Sequence, residues 1–119
     1  MSPTEVSRLN SKNIDELYEE LGRARMTPEY PSGRTIARPV AVERGRSFLT
    51  SSLNGLKAKI CVEWHYCSKR NDYGNFQSLV YAVAPLVSSV VGVPVSTALI
   101  VTVILIKIGL DDLCKCPNP

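Results

Sequence analysis

The residues best suited to chemistry in this chain are four cysteines and its single histidine. Cys61 and His65 are four residues apart, which places them on one face of a helix, and Cys67 follows them. Cys114 and Cys116 lie near the other end of the chain. An antiparallel hairpin between the two groups would bring them together. Because thiolate and imidazole are the usual ligands of structural zinc, the sequence offers Cys61, His65, Cys114 and Cys116 as candidate metal ligands.

A second interpretation of the same cysteines needs no metal, since the chain has no C-x-x-C pair. In it, Cys61 and Cys114 pack as small buried apolar residues while Cys67 and Cys116 remain free thiols. The N-terminus shows no basic stretch followed by an apolar one, so we expect no secretory signal and a reducing cytoplasm, where thiols persist. The expected location is cytoplasmic, with association to the cytoplasmic face of a membrane as the alternative.

Nucleophilic catalysis is the other chemistry that Cys61 and His65 suggest, since a thiol beside an imidazole is the minimum for a cysteine hydrolase. The sequence adds no glycine-rich anion loop, no nucleotide motif and no paired carboxylates on a pocket-forming framework. We therefore expect no enzyme, no small-molecule substrate and, apart from the zinc alternative, no cofactor.

Basic residues concentrate in the middle of the chain, where residues 34–70 hold eight basic and two acidic side chains. A solvated surface is the simplest interpretation, and an anionic membrane surface is an alternative. Without a recognised motif, this mild bias does not favour a nucleic-acid partner. The candidate basic surface comprises Arg44, Arg46, Lys57, Lys59, Lys69 and Arg70.

The first element that could position these groups is a short helix, because apolar residues recur at helical spacing between Ile14 and Leu21. Asn13 and Glu16 have the spacing of a capping box, and Gly22 suits the C-terminal cap.

Residues 41–66 fit two patterns. Leu49 to Trp64 shows a helical stripe, whereas Leu56 to Tyr66 also alternates as a half-buried strand does. The helical pattern covers more residues and is preferred.

From Tyr73 to Ile106 the chain runs 34 residues without a charged side chain. Asn75 can cap a helix at its start, Pro85 would kink that helix, and a Gly-Val-Pro break at residues 92–94 would separate it from a second helix. The β-branched residues near the end favour a strand, so a buried β-hairpin at about 95–108 is the alternative.

These patterns predict one mostly α-helical domain built on an apolar helical hairpin, with an α+β fold as the alternative. Its predicted parts are a short N-terminal amphipathic helix in residues 1–22, an irregular Pro/Gly connector in 23–40, an amphipathic basic helix in 41–67 and the apolar hairpin in 76–113.

The functional hypothesis depends on the hairpin, because two helices that are apolar on all sides need more cover than the two predicted amphipathic elements supply. We expect a protein partner or self-association through the hairpin, and insertion of the hairpin into a membrane is the alternative, although each half is short for a bilayer span. The predicted interaction face comprises Leu79, Val83, Leu86, Val90, Leu99, Val103, Ile106 and Leu110.

Overall fold

The computed structural model describes residues 3–26 and 37–117, and every regular element in these two ranges is helical. The mostly α-helical class is therefore confirmed, and the alternative strands at 95–108 and within 56–66 are wrong. The main helices are α1 Pro3–Asn10, α2 Ile14–Met26, α3 Arg38–Lys57, α4 Tyr66–Lys69, α5 Phe76–Val91, α6 Val95–Ile108 and α7 Leu110–Leu113. A π-helical turn, Ala58–Glu63, continues α3, and a 3-10 turn, Arg70–Asp72, follows α4.

Helix α6 lies at the centre of the fold, with every residue from Thr97 to Leu105 buried. A helix that is apolar on all sides is normally buried on all sides. Here α5, α2 and α1 supply the cover. The hydroxyl of the buried Thr102 donates to the carbonyl oxygen of Ala98 at 2.7 Å, so the core contains no unpaired hydroxyl there.

Helix α5 begins and ends at the signals that the sequence shows. Asn75 caps it by accepting a hydrogen bond from the backbone N–H of Ser78 at 2.8 Å, and Gly92 ends it with a φ of 70°. Pro85 lies inside the helix on the exposed side. The chain bends by 114° between α5 and α6, so the two helices cross obliquely and a simple antiparallel hairpin is not confirmed. Gly109, with a φ of 116°, ends α6. The helix therefore stops before Leu113, which the sequence analysis gave as the end of the hairpin.

The capping box of α2 is present as the sequence predicts. The backbone N–H of Glu16 donates to Asn13 at 2.8 Å, and the Glu16 carboxylate accepts from the Asn13 backbone N–H at 3.0 Å. Gly22 does not end this helix, which continues to Met26. The predicted connector in 23–40 is therefore helical at both ends, since α3 already begins at Arg38, and its middle part, residues 27–36, lies outside the described residues.

Gly22 instead belongs to the crossing of α2 and α3. A Cβ atom at Gly22 would overlap the backbone carbonyl of Ala41, and one at Gly45 would overlap the backbone carbonyl of Tyr18. Both contacts are with backbone atoms, which cannot move aside as a flexible side chain can. The two glycines therefore allow α2 and α3 to pack backbone against backbone.

We expect Gly22→Ala and Gly45→Ala each to lower the free energy of unfolding by about 1 to 3 kcal/mol, the usual cost of overpacking. This loss should appear although alanine has the better helix propensity. Urea denaturation measures it, with Gly74→Ala as the control because a Cβ atom there would meet nothing within 4 Å. Equal stability of the Gly22→Ala and Gly74→Ala proteins would show that the helices do not cross here.

Candidate functional site

The four cysteines form two disulfides, Cys61–Cys114 and Cys67–Cys116, with Cα–Cα distances of 5.2 and 5.3 Å. Both disulfides join the same two stretches of chain: the end of the π-helical turn with α4, and the residues that follow α7. We call this pair of bonds the disulfide clamp. The hairpin geometry inferred from the sequence correctly predicted that these two stretches lie close together.

The chemical state predicted for the cysteines was wrong. All four sulfur atoms are bonded to another sulfur, so none is a free thiol, a zinc ligand or a nucleophile in this state. Within residues 3–26 and 37–117 no cluster of three or more His, Cys, Asp or Glu side chains could hold a metal ion. His65 is exposed, with a φ of 60° in the left-handed region.

A polar network lies beside the clamp and holds the same two stretches together. The Tyr66 hydroxyl donates to Asp111 at 2.8 Å, and the Arg70 guanidinium forms an ion pair with the same carboxylate at 3.0 Å. Arg70 also donates to the backbone carbonyl of Pro117 at 2.9 Å. Burial and the bond to Asp111 raise the pKa of Tyr66 to about 12, while Tyr66 and Arg70 lower the pKa of Asp111.

Trp64 packs against this network from the other side. Its ring centroid lies 5.6 Å from that of Tyr73 and 6.4 Å from that of Tyr66, and the Lys69 ammonium lies 5.4 Å from the Trp64 ring. The contact between Lys69 and Trp64 is a cation–π interaction. The aromatic side chains near the clamp thus contact one another.

The predicted basic surface is largely engaged in contacts within the chain. Arg46 pairs with Asp15 at 3.5 Å and lies over the Tyr18 ring, and Lys59 pairs with Glu63 at 3.5 Å. Lys69 and Arg70 belong to the network at the clamp, while Arg44 lies exposed on α3 and Lys57 is half-buried. No cluster of free cations therefore results from these residues.

The structure divides the predicted interaction face into two groups. Val83, Leu99, Val103 and Leu110 are in the core of the chain itself, so they are not available to a partner. This corrects the prediction for these four residues. The reason is that α1 and α2 cover α6, which carries Leu99 and Val103, while α5 and α7 pack Val83 and Leu110 against α6. The remaining members, Leu79, Leu86, Val90 and Ile106, are half-buried or exposed.

One side of α5 remains open to solvent. Its residues recur at helical spacing opposite or beside the buried Val80, Val83, Ala84 and Val87, and it extends at one edge to Val90, whose side chain also borders Gly55 of α3. We call this side the α5 outer face, and it comprises Ala82, Pro85, Leu86, Ser89 and Val90. It carries no charge, and Val90 is 37% exposed. The sequence missed this division because it shows which helix is apolar but not which side the rest of the chain covers.

Among the described helices, none is by itself long and apolar enough to cross a bilayer. The α5 and α6 pair meets the length and composition criteria when the two helices are taken together, with the 114° bend between them.

Comparison of the chain with protein-family models, with curated proteins and with solved structures found no match.

The lowered pKa of Asp111 predicts how pH acts on the network. Because the folded pKa lies below the unfolded value of about 3.9, the ionised carboxylate stabilises the fold above that value, and this contribution is lost as pH falls through the folded pKa. Asp111→Asn should therefore lower the free energy of unfolding at pH 7. The loss should be at most about 1 kcal/mol, because the Asp111 side chain of the Arg70–Asp111 pair is exposed. The difference in stability from the original protein should vanish near pH 2.

Denaturant titration at several pH values measures this effect. Asp112→Asn is the matched control, because within the described residues its side chain makes no hydrogen bond or ion pair to another element. A pH-independent difference between the original protein and Asp111→Asn would contradict the role of the charge.

Proposed function

We propose that this chain is a small non-enzymatic assembly protein and that the α5 outer face is its contact surface. The partner that we propose for this face is the same face of a second copy of the chain. The observation that supports the proposal is the absence of charge along the whole of α5, including its solvent-exposed side.

The other outer helices differ from α5 in this respect. Helices α1 and α2 are joined on their outer sides by ion pairs of Arg8 with Glu20 at 2.6 Å, and α2 carries a further pair between Arg23 and Glu19 at 2.8 Å. Amphipathic helices at a surface normally present such charged side chains to water. An outer helix without them is typical of a surface that a partner covers.

The α5 outer face suits a second helix in both size and electrostatics. Ala82 and Ser89 are small and lie two helical turns apart on one side of the helix, so a facing helix can approach closely along that side, next to Leu86 and Val90. Two uncharged faces bring no like charges together and desolvate no ion when they meet. The same face on a second copy therefore meets no electrostatic penalty.

We expect Leu86→Asp and Val90→Asp to weaken self-association by at least about tenfold while the chain stays folded, because an unpaired carboxylate in an apolar contact is costly. Sedimentation equilibrium over a concentration series measures the dissociation constant, and circular dichroism confirms the fold. Val62→Asp is the control, since Val62 is 66% exposed and belongs to the π-helical turn, not to the α5 outer face.

The core positions Leu99 and Ile104 are unsuitable for this test, because a charge there would unfold the chain whether or not it assembles. A monomer at all concentrations, or equal association of all three variants, would contradict assembly through α5.

Membrane insertion is a second candidate function, and one specific observation favours it. Four hydroxyl groups of the α5 and α6 pair donate to carbonyl groups of the same stretch of chain: Ser78 to Asn75, Ser88 to Val93, Ser89 to Leu86 and Thr102 to Ala98. The pair can therefore leave the other helices without breaking any of these bonds. In lipid, every polar group must be satisfied in this internal way.

The lengths of the two helices limit how they could enter lipid. At 1.5 Å per residue, 16 residues in α5 and 14 in α6 correspond to about 24 and 21 Å, less than the roughly 30 Å of a hydrocarbon core. Entry and return on one side of the bilayer fits these lengths. Lys69, Arg70, Lys107 and Lys115 flank the pair in sequence and would then stay at the membrane surface.

Flotation with anionic lipid vesicles at low and high salt separates the two functions. Assembly through α5 predicts that the protein stays at the bottom of the gradient under both conditions. Insertion predicts flotation that persists at high salt, since buried apolar contacts are not screened. Flotation at low salt alone would indicate a surface contact by the basic residues and would contradict insertion.

A further inference from the structure

We propose that the disulfide clamp is a reducible site at which a dithiol reductant controls the attachment of residues 109–117, here called the C-terminal segment. This inference is independent of the proposed function, because the clamp and the α5 outer face share no residue.

The cross-links of the C-terminal segment all end on one short stretch of chain. Besides the two disulfides, they are the bonds of Asp111 and Pro117 to Tyr66 and Arg70. Those side-chain bonds are part-buried or exposed, so water competes for them. The disulfides are therefore the only covalent links, and the strongest ones, between the segment and the helices it covers.

The backbone provides a hinge for this segment. Gly109 separates it from α6 with a φ of 116°, a conformation that glycine adopts without a steric penalty. Rotation at this residue would swing α7, with its buried Leu110, away from the end of α6, whose last buried residue is Leu105.

Backbone strain is also concentrated inside the clamp. Among the described residues, the two non-glycine residues with a positive φ are His65, at 60°, and Lys115, at 52°. His65 lies between Cys61 and Cys67, and Lys115 lies between Cys114 and Cys116. Such conformations persist only where the surrounding structure enforces them, and they occur often in switch regions. Once the disulfides are broken, both residues can relax to ordinary backbone angles, which favours the released state.

The clamp is accessible to a reductant, because all four cysteines are partly exposed. A thiolate of the dithiol attacks one sulfur, the protein disulfide breaks and a mixed disulfide forms. The second thiol of the reductant then displaces the remaining protein thiolate, which takes up a proton. Each disulfide thus consumes one dithiol and two electrons and yields two protein thiols and one oxidised reductant.

Because both disulfides join the same two stretches, either one alone keeps the C-terminal segment attached. Release therefore requires two dithiols and four electrons for each chain, and a half-reduced protein remains closed. A weakly reducing environment gives the closed form, whereas a strongly reducing one gives the released form. Release would expose Tyr66, which is 6% exposed in the closed form.

Hydrogen exchange of the full chain, read by NMR or by mass spectrometry of peptides, tests this proposal. The reporters are the amides of Leu113, Cys114 and Cys116, which bond to carbonyls of Gly109, Leu110 and Asp111 at 3.0, 2.8 and 2.9 Å. After reduction by dithiothreitol to four thiols per chain, these amides should exchange at least tenfold faster. The amides of α2 and α6 should remain protected, although loss of the disulfides lowers the global stability and speeds their exchange as well, and reoxidation should restore the original rates.

Paired variants test the requirement for both disulfides. Cys61→Ser with Cys114→Ser, and Cys67→Ser with Cys116→Ser, should each keep the segment protected until dithiothreitol is added. The variant with all four serines should match the reduced protein without any reductant. In the reduced state, Lys115→Gly should partly restore protection of the segment, because it removes one of the two strained residues.

Three results would overturn the proposal. A segment that remains protected with four free thiols would show that the polar network alone holds it. Loss of protection of the α2 and α6 amides together with those of the segment would show that the disulfides maintain the whole fold. Failure of dithiothreitol to reduce the folded protein would show that the site is not accessible.

Discussion

A helix that is apolar on every side must be covered on every side, and this constraint on α6 organises the rest of the molecule. Nine consecutive residues, Thr97 to Leu105, are buried, so no face of the helix is left for water. Helices α5, α2 and α1 lie against it, and α3 packs over α2. The backbone contact at Gly22 and Gly45 brings α2 and α3 close enough to form a continuous layer. A short chain can therefore enclose so apolar a helix without a larger domain around it.

The disulfide clamp closes the end of this arrangement, and whichever of its two bonds forms second adds less stability than the first. The first bond to form closes a loop of about 50 residues, which in the chain-entropy treatment stabilises the fold by about 4 kcal/mol. Once it exists, the second closes a ring of only about ten residues and adds about 2.5 kcal/mol. The second bond thus adds less stability than the first. Its main effect is to fix the backbone between the cysteines, where His65 and Lys115 lie in the left-handed region.

The features that the sequence predicted correctly depend on neighbouring residues, and those that it missed depend on distant ones. Asn13 with Glu16, Asn75 and Gly92 act within one helical turn, so their roles were visible in the sequence. Gly22 looks like a helix end until α3 is placed against it, and α1 contributes the buried Val6 and Leu9 through a helix too short to give a clear periodic signal. The cover of α6 was underestimated for these two reasons. The pairing of Cys61 with Cys114 shows the same limit, because proximity followed from topology while the chemical state did not.

The position of the clamp also determines how the chain transmits a mechanical pull between its ends. Tension applied to the two termini passes along the N-terminal half to Cys61, crosses directly to Cys114 and leaves through the last few residues. The second disulfide lets residues 62–67 share this load, but residues 68–113, which include α5 and α6, lie off the path and carry no tension while both bonds are intact. At about 3.5 Å per residue, the 61 residues up to Cys61 would lengthen the chain to roughly 210 Å, about half the contour of all 119 residues. A protein tethered at both termini would thus lose α1, α2 and α3 under load while α5 and α6 remain bounded by a covalent ring.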